Sequence, residues 1–364
     1  MPSKSFLFVP DITGFTKFVN RTEIDHSQHI ISELLENIID SNQLNLEVSE
    51  VEGDAVFFYK ENDVPGLDEV YDQAKKMFLN FHSHLKLYDR QRICQCGACS
   101  SASDLSLKFI VHCAEIGFTI IKNNKKPFGA DIVLLHKLLK NNIDHGEYIL
   151  FTHNFLNDAK TTNNHHPVET LEDGADEYSE YGLVNYKFTS LTSLNELVPD
   201  PPPVELPAKM KNPITLEHVF DLPLMEAYEY LSNFDLKKKW NKDINKFEFE
   251  KGKINRIGTK HICIFDKGKA EIESVTNDFG KGNLVYGERI IKFPLARDFT
   301  IYFILSPQED KTKIKIEVHY RPLPIIGWLL KPIITKGVKK INRNFIHSFS
   351  KLEKENNLED SYVK

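Results

Sequence analysis

Asp11 and Asp54 are the residues whose setting most invites chemistry. Asp11 stands in Phe6-Leu-Phe-Val-Pro-Asp-Ile-Thr-Gly-Phe-Thr16, and Asp54 in Val51-Glu-Gly-Asp-Ala-Val-Phe-Phe-Tyr59. Each segment reads as a strand carrying its carboxylate at a glycine-containing turn. Two carboxylates brought together at strand ends can hold a divalent metal against a triphosphate, because such hard cations bridge carboxylate and phosphate oxygens. Spacing alone favours a plainer use, since most aspartates in such turns cap a helix or close the turn. A second group is Arg92-Ile-Cys-Gln-Cys-Gly-Ala-Cys99, where Cys94, Cys96 and Cys99 crowd three thiols together. Cys-x-x-Cys spacing is a common half of a tetrahedral zinc site. A fourth ligand is expected from Cys113, His112, His82, His84 or a partner chain. The alternative is a set of reduced thiols in a surface insertion.

These residues need elements to hold them. Phe6–Val9 predicts a short strand with Gly14 punctuating the turn after Asp11. Ile30, Leu34, Leu35 and Ile38 fall at helical spacing. Leu44, Leu46 and Val48 alternate as in a half-buried strand, and Glu52-Gly53-Asp54 supplies a hairpin turn. A second helix runs through Val70, Ala74, Met77, Phe78, Phe81 and Leu85. A strand through Leu105, Leu107, Phe109 and Val111 follows, then a helix through Ile132, Leu135, Leu138 and Leu139 opened by Gly129. The order β-α-β-β-α-β-α is that of an α+β sandwich related to the ferredoxin-like plan.

Five prolines between Val198 and Pro207 mark a stiff connector. The expected organisation is residues 1–197, a linker at 198–211, and a second domain at 212–364. That second part reads as a strand at Ile214–Phe220, a short helix at Pro223–Leu231, and a run of strands. These strands are expected at His261–Phe265, Ala270–Val275, Asn283–Phe293, Phe299–Leu305 and Lys313–His319. A long helix from about Gly327 to Glu355 ends it. A long amphipathic helix laid across a curved antiparallel sheet encloses a cavity or groove. Trp240, Trp328, Phe299 and Tyr302 are candidate lining residues, although strand aromatics are more often core.

Composition limits the function classes. A formal net charge of −6 over 364 residues argues against bulk nucleic-acid binding, so no nucleic-acid partner is expected. No apolar run reaches membrane-spanning length, no secretory leader is visible, and the cysteines do not form a secreted framework. A cytoplasmic location is the expectation. Apolar Ile325-Ile-Gly-Trp-Leu-Leu-Lys-Pro-Ile-Ile334, followed by Lys336, Lys339, Lys340 and Arg343, reads as the buried and solvated faces of one amphipathic helix, without membrane contact.

Asp11-Ile-Thr-Gly-Phe-Thr16 and Val51-Glu-Gly-Asp-Ala55 together resemble the class III nucleotidyl (adenylate/guanylate) cyclase domain. Leu107-Lys-Phe-Ile-Val-His-Cys-Ala-Glu-Ile-Gly117, Gly129-Ala-Asp-Ile-Val-Leu-Leu-His-Lys-Leu-Leu139 and Tyr181-Gly-Leu-Val-Asn-Tyr-Lys-Phe188 extend the resemblance over residues 4–192. It implies Mg²⁺ or Mn²⁺ held by Asp11, Ile12 and Asp54, and phosphates cradled by the amides of Gly14, Phe15 and Thr16. It also implies a purine read by Glu50, with GTP favoured over ATP, and a homodimer. The activity implied is conversion of a purine nucleoside triphosphate to the 3′,5′-cyclic nucleotide and pyrophosphate. The chain departs from the pattern where an Asn and an Arg are expected, at Val133 and Lys137. Lys137, the catalytic candidate, lacks arginine's bidentate fork. Glu177-Tyr-Ser-Glu-Tyr181 also lacks the expected phosphate-binding lysine. Removing one such transition-state donor costs about 10²–10³ in rate, so weak or absent cyclase activity is expected.

Residues 212–356 resemble the START-like, helix-grip superfamily of polyketide cyclases and lipid carriers. The resemblance is carried by Ile214-Thr-Leu-Glu-His-Val-Phe-Asp-Leu-Pro223, Ala227-Tyr-Glu-Tyr-Leu231 and Trp240. It implies an apolar ligand between sheet and helix. The expected whole is a diverged cyclase-like, metal- and nucleotide-binding domain fused to an apolar-ligand domain. The alternative is a non-enzymatic dimeric sensor or carrier.

Overall fold

The computed structural model describes residues 4–122, 124–160, 171–241, 244–249, 254–266 and 268–362. Two compact units are distinguished: Met1–Arg90 with Cys96–Pro201, and Gln91–Gln95 with Pro202–Lys364.

The first unit begins with β1 (Lys4–Thr13), α1 (Phe15–Arg21), α2 (Ile24–Asp40), β2 (Glu47–Glu52), β3 (Ala55–Glu61) and α3 (Leu67–Gln91). It continues with α4 (Gly97–Ser101), β4 (Ser106–Glu115), β5 (Gly117–Ile121), β6 (Asn124–Phe128) and α5 (Ala130–Leu138). β7 (Tyr148–Thr152), α6 (His153–Asp158), β8 (Glu172–Tyr178) and β9 (Gly182–Ser190) complete it. Its seven-stranded sheet runs β2-β3-β1-β4-β7-β9-β8, with β4 and β7 parallel. Alternation decides the faces. On one face Leu7 and Val9 of β1 join Ile110, Leu134, Leu135 and Leu138 in a core beneath α5. On the other, Phe8 stacks on Phe109.

Three readings change here. Asp11 lies within β1, two residues before its end, rather than in a turn, because β1 continues to Thr13 in register with β4. Leu44 and Leu46 precede β2, which starts at Glu47. The β5–β6 hairpin has no counterpart in the expected order, which passes directly from strand to helix.

The second unit is β10 (Ile214–Phe220), α7 (Leu224–Ser232), α8 (Phe234–Trp240), β11 (Lys246–Glu248), β12 (Lys260–Phe265), β13 (Gly268–Val275), β14 (Leu284–Ile291), β15 (Ala296–Gln308), β16 (Lys311–Pro322) and α9 (Gly327–Tyr362). Its antiparallel sheet runs β10-β16-β15-β14-β13-β12-β11. α9 buries Ile334, Val338, Phe345, Phe349 and Leu352 in one core with Phe220, Trp240 and Phe303. The start of α9 departs from a simple two-faced helix. Leu329 and Ile333 are more than half exposed, as is Ile325 just before the helix. Among the described residues, no helix is long and apolar enough to cross a membrane.

Candidate functional site

The register of β1 fixes what faces Asp11. Asp11 pairs with Ala55 of β3 on one side and Lys108 of β4 on the other. Directly opposed residues share a face of the sheet, so a lysine is placed against the aspartate. The Lys108 Nζ lies 3.1 Å from Asp11 Oδ2 and donates to the Leu139 carbonyl at 2.8 Å. Asp11 is buried, and burial lifts its carboxyl to about 6, with Lys108 acting against the rise and Asp54 adding to it. Asp54 is lifted too, chiefly by burial. It sits in the β2–β3 turn, and its carbonyl accepts from the Ile12 N–H at 2.9 Å. Asp11, Ile12 and Asp54 are thus brought together, as their assignment to one site requires.

Two other members of that expected site are engaged within the fold. Glu50 accepts from Lys126 at 2.6 Å, and Lys137 donates to Glu180 at 2.8 Å. Val133 is half exposed on α5. Gly14 has a φ of 91°, a left-handed conformation that glycine adopts without strain, and it begins the seven-residue α1 whose first residues are Phe15 and Thr16. A two-cation centre does not fit this arrangement. An ammonium already neutralises the more buried carboxylate, and a divalent ion would have to displace it from two oxygen partners.

The thiol cluster gains a partner that no local spacing announced. His26 Nδ1 lies 3.1 Å from Cys96 Sγ and 3.7 Å from Cys99 Sγ. His26 belongs to the first turn of α2. The four expected fourth ligands are elsewhere. His112 pairs with Thr152 and Asp131, His84 with Glu33, and His82 with Ser106. Cys113 is buried in β4, where burial holds its thiol well above the usual range.

In the second unit a cavity of about 510 Å³ opens between sheet and α9. Trp240, Ile272, Ile301, Phe303 and Phe345 supply apolar wall, while Lys237, Tyr286 and Glu288 bring polar groups to it. Lys237 is buried and donates to Glu288, which also accepts from Tyr286 Oη at 2.8 Å. Burial lowers the Lys237 ammonium to about 8. His261, also buried, has its Nε2 3.8 Å from Glu288, and burial then Lys237 hold it far below the usual imidazole range. Of the four expected lining aromatics, Trp240 lines this cavity. Phe299 is core, and Tyr302 lies in a separate cluster where its hydroxyl accepts from Asn277. The Trp328 side chain lies outside the described residues. The Lys237–Glu288 pair escaped sequence reading because its members are 51 residues apart. A lysine one turn before Trp240 on a short amphipathic helix was the available signal.

Residues 31–148 match the family model described as "Protein of unknown function (DUF2652)". A 125-residue stretch is 30% identical to "Uncharacterized protein Rv2561/Rv2562" of Mycobacterium tuberculosis, covering 34% of this chain and 57% of that protein. The chain therefore spans a little over half the length of this curated relative. Among solved structures, the guanylyl cyclase Cya2 is similar at 11% identity and a TM-score of 0.36, over 52% of this chain and 93% of that one. A Thalictrum flavum norcoclaurine synthase point mutant is similar at 16% identity and a TM-score of 0.34, over 41% of this chain and 98% of that one. The fold is α+β: a mixed seven-stranded sheet with helices in the first unit, and a seven-stranded antiparallel sheet with a long C-terminal helix in the second.

Proposed function

We propose that this chain is a sensor or carrier of an apolar or amphiphilic small molecule, bound in the helix-grip unit, and that its cyclase-like unit is a non-catalytic scaffold. The cavity carries the reading. A space of about 510 Å³ is of ligand-pocket size, and its mostly apolar wall with a few convergent polar groups is what a small-molecule site needs. An apolar body would occupy the region by Trp240, Phe303 and Phe345. A hydroxyl, carbonyl or carboxylate on it would meet Lys237 and Glu288, whose desolvation makes hydrogen bonds there strong.

For the first unit, the placement of Lys108 against Asp11 supports a scaffold over a metal-dependent enzyme. Exposed Val48 and Val51 of β2 and Phe128 of β6 support association of two copies through this unit. Size-exclusion chromatography with light scattering is expected to give a dimer.

The test is titration of the 364-residue chain with anilinonaphthalene sulfonate, comparing the parent with Ala270→Phe, which fills the cavity from β13. Saturable binding in the parent and its loss in the variant are expected. Equal binding in both proteins would reject the cavity as the site. In parallel, incubation with Mn²⁺ and GTP or ATP is expected to yield no cyclic nucleotide. Product from the parent but not from Asp54→Ala would overturn the scaffold assignment.

A further inference from the structure

We propose that the start of α9 docks the second unit onto an anionic lipid membrane. Ile325 is 91% exposed, and Ile326, Leu329, Ile333 and Ile341 are each about half exposed. The last four recur at helical spacing and so form one stripe along the helix. This is not the face that the core uses, since Ile334, Val338, Phe345, Phe349 and Leu352 are buried with Phe220 and Phe303. Ile325 has a φ of 69°, a left-handed conformation rare for a β-branched residue. Large aliphatic side chains grouped on a surface mark a docking site.

Charge names the partner. The protein carries a formal net charge of −6, yet between Leu323 and Ser350 it has Lys331, Lys336, Lys339, Lys340 and Arg343 and no Asp or Glu. Lys336 and Lys340 are exposed and follow Ile333 by one and two turns, so they border the stripe. Like charges one turn apart weaken a helix, a cost that an anionic surface removes. The strands leading into the helix repeat the pattern. Arg297 of β15 stands directly opposite Arg321 of β16, although like charges so placed are destabilising, and Asp298 accepts from Arg321. A helix with aliphatic residues on one face and lysines beside them lies in the interface of an anionic bilayer. Apolar burial and attraction to the lipid headgroups hold it there. An isologous contact with a second copy would instead set these lysines against their own kind. The helix then has three faces, toward core, bilayer and solvent, in place of the two that its sequence suggests. Ile341 also lines the cavity of about 510 Å³, so docking brings the rim of the cavity to the bilayer. That last link rests on the ligand reading above, whereas the docking rests on exposure and charge alone.

The experiment is flotation of the 364-residue chain with vesicles of phosphatidylcholine, alone or with phosphatidylserine, at low and high salt. Binding to the anionic vesicles, little binding to the neutral ones, and release by salt are expected. Leu329→Asp combined with Ile333→Asp should abolish flotation. Both side chains are exposed, so circular dichroism should match the parent. Lys336→Ala combined with Lys340→Ala should weaken binding by about thirtyfold. Lys187→Ala, which removes a cation from β9 of the first unit, should leave it unchanged. Parent protein that does not float with anionic vesicles would overturn the proposal. So would flotation that Leu329→Asp with Ile333→Asp leaves as strong as in the parent. A dimer that this variant dissociates, without flotation of the parent, would assign the face to a second copy instead.

Discussion

Both units place a lysine against a buried carboxylate, and the two pairs do opposite things. In the first, Lys108 faces Asp11 across neighbouring strands and fills the charge that a cation would supply. In the second, Lys237 and Glu288 lie on the wall of a space large enough for a ligand. The chemistry of the pair is the same, and the surroundings decide its use. On the function proposed above, the pair beside α5 completes a fold, whereas the pair facing the apolar cavity would give a guest one point of polar contact. The Lys108–Asp11 pair is no more buried than the Lys237–Glu288 pair, so it is the surroundings and not burial that separate them.

The largest effect should come from breaking the second pair. Lys237→Met leaves Glu288 buried without its cation, a loss on the order of 3–5 kcal/mol, measurable by denaturant unfolding. Lys237→Met combined with Glu288→Leu is expected to recover most of it. A double variant as unstable as the single one would show that the pair's charge is not the cause.

Next comes the pH response of the first pair. Asp11 is lifted from 3.8 to about 6 in the folded chain, so the folded state binds its proton more tightly than the unfolded state. Its contribution is favourable below about 4 and is lost as pH rises through about 6. At about 1.4 kcal/mol per unit, Asp11→Asn should gain stability relative to the parent by roughly 2–3 kcal/mol between those limits. A constant difference across that range would remove Asp11 as the titrating group.

Sharpening the contrast between the pairs, Lys108→Met should free the aspartates and give Mn²⁺ binding that the parent lacks, read by calorimetry. Equal Mn²⁺ affinity in both proteins would mean that Lys108 does not close the site. The smallest effect is expected at Lys137→Ala. Its partner Glu180 is largely exposed, and exposed ion pairs contribute little, so the melting temperature should stay within error of the parent.

Much of this was legible from the residues alone. Alternation of Leu105, Leu107, Phe109 and Val111 gives β4, and the helical spacing from Val70 to Leu85 gives α3, because one-sided burial imposes its period on the sequence. The same alternation puts Lys108 on the opposite face from Leu107 and Phe109. Whether that face carries Asp11 depends on the register between β1 and β4, which two segments nearly 100 residues apart set only on pairing. His26 was invisible for the same reason, lying 70 residues from Cys96. Short elements such as α8 and β11 were missed because seven or three residues hold too little of any period to read. The cavity was foreseen as a consequence of helix on sheet, but most of its lining was not. Which strand aromatics point inward depends on twist and bulges such as that between Arg297 and Thr300.

The central claim, that the second unit holds a ligand site, is tested most directly by titrating the 364-residue parent and Ala270→Phe with a dansyl-labelled fatty acid. The account predicts one saturable site per chain in the parent, with blue-shifted dansyl emission, and no site in the variant. Absence of saturable binding in the parent, or binding unchanged by filling the cavity, would contradict it.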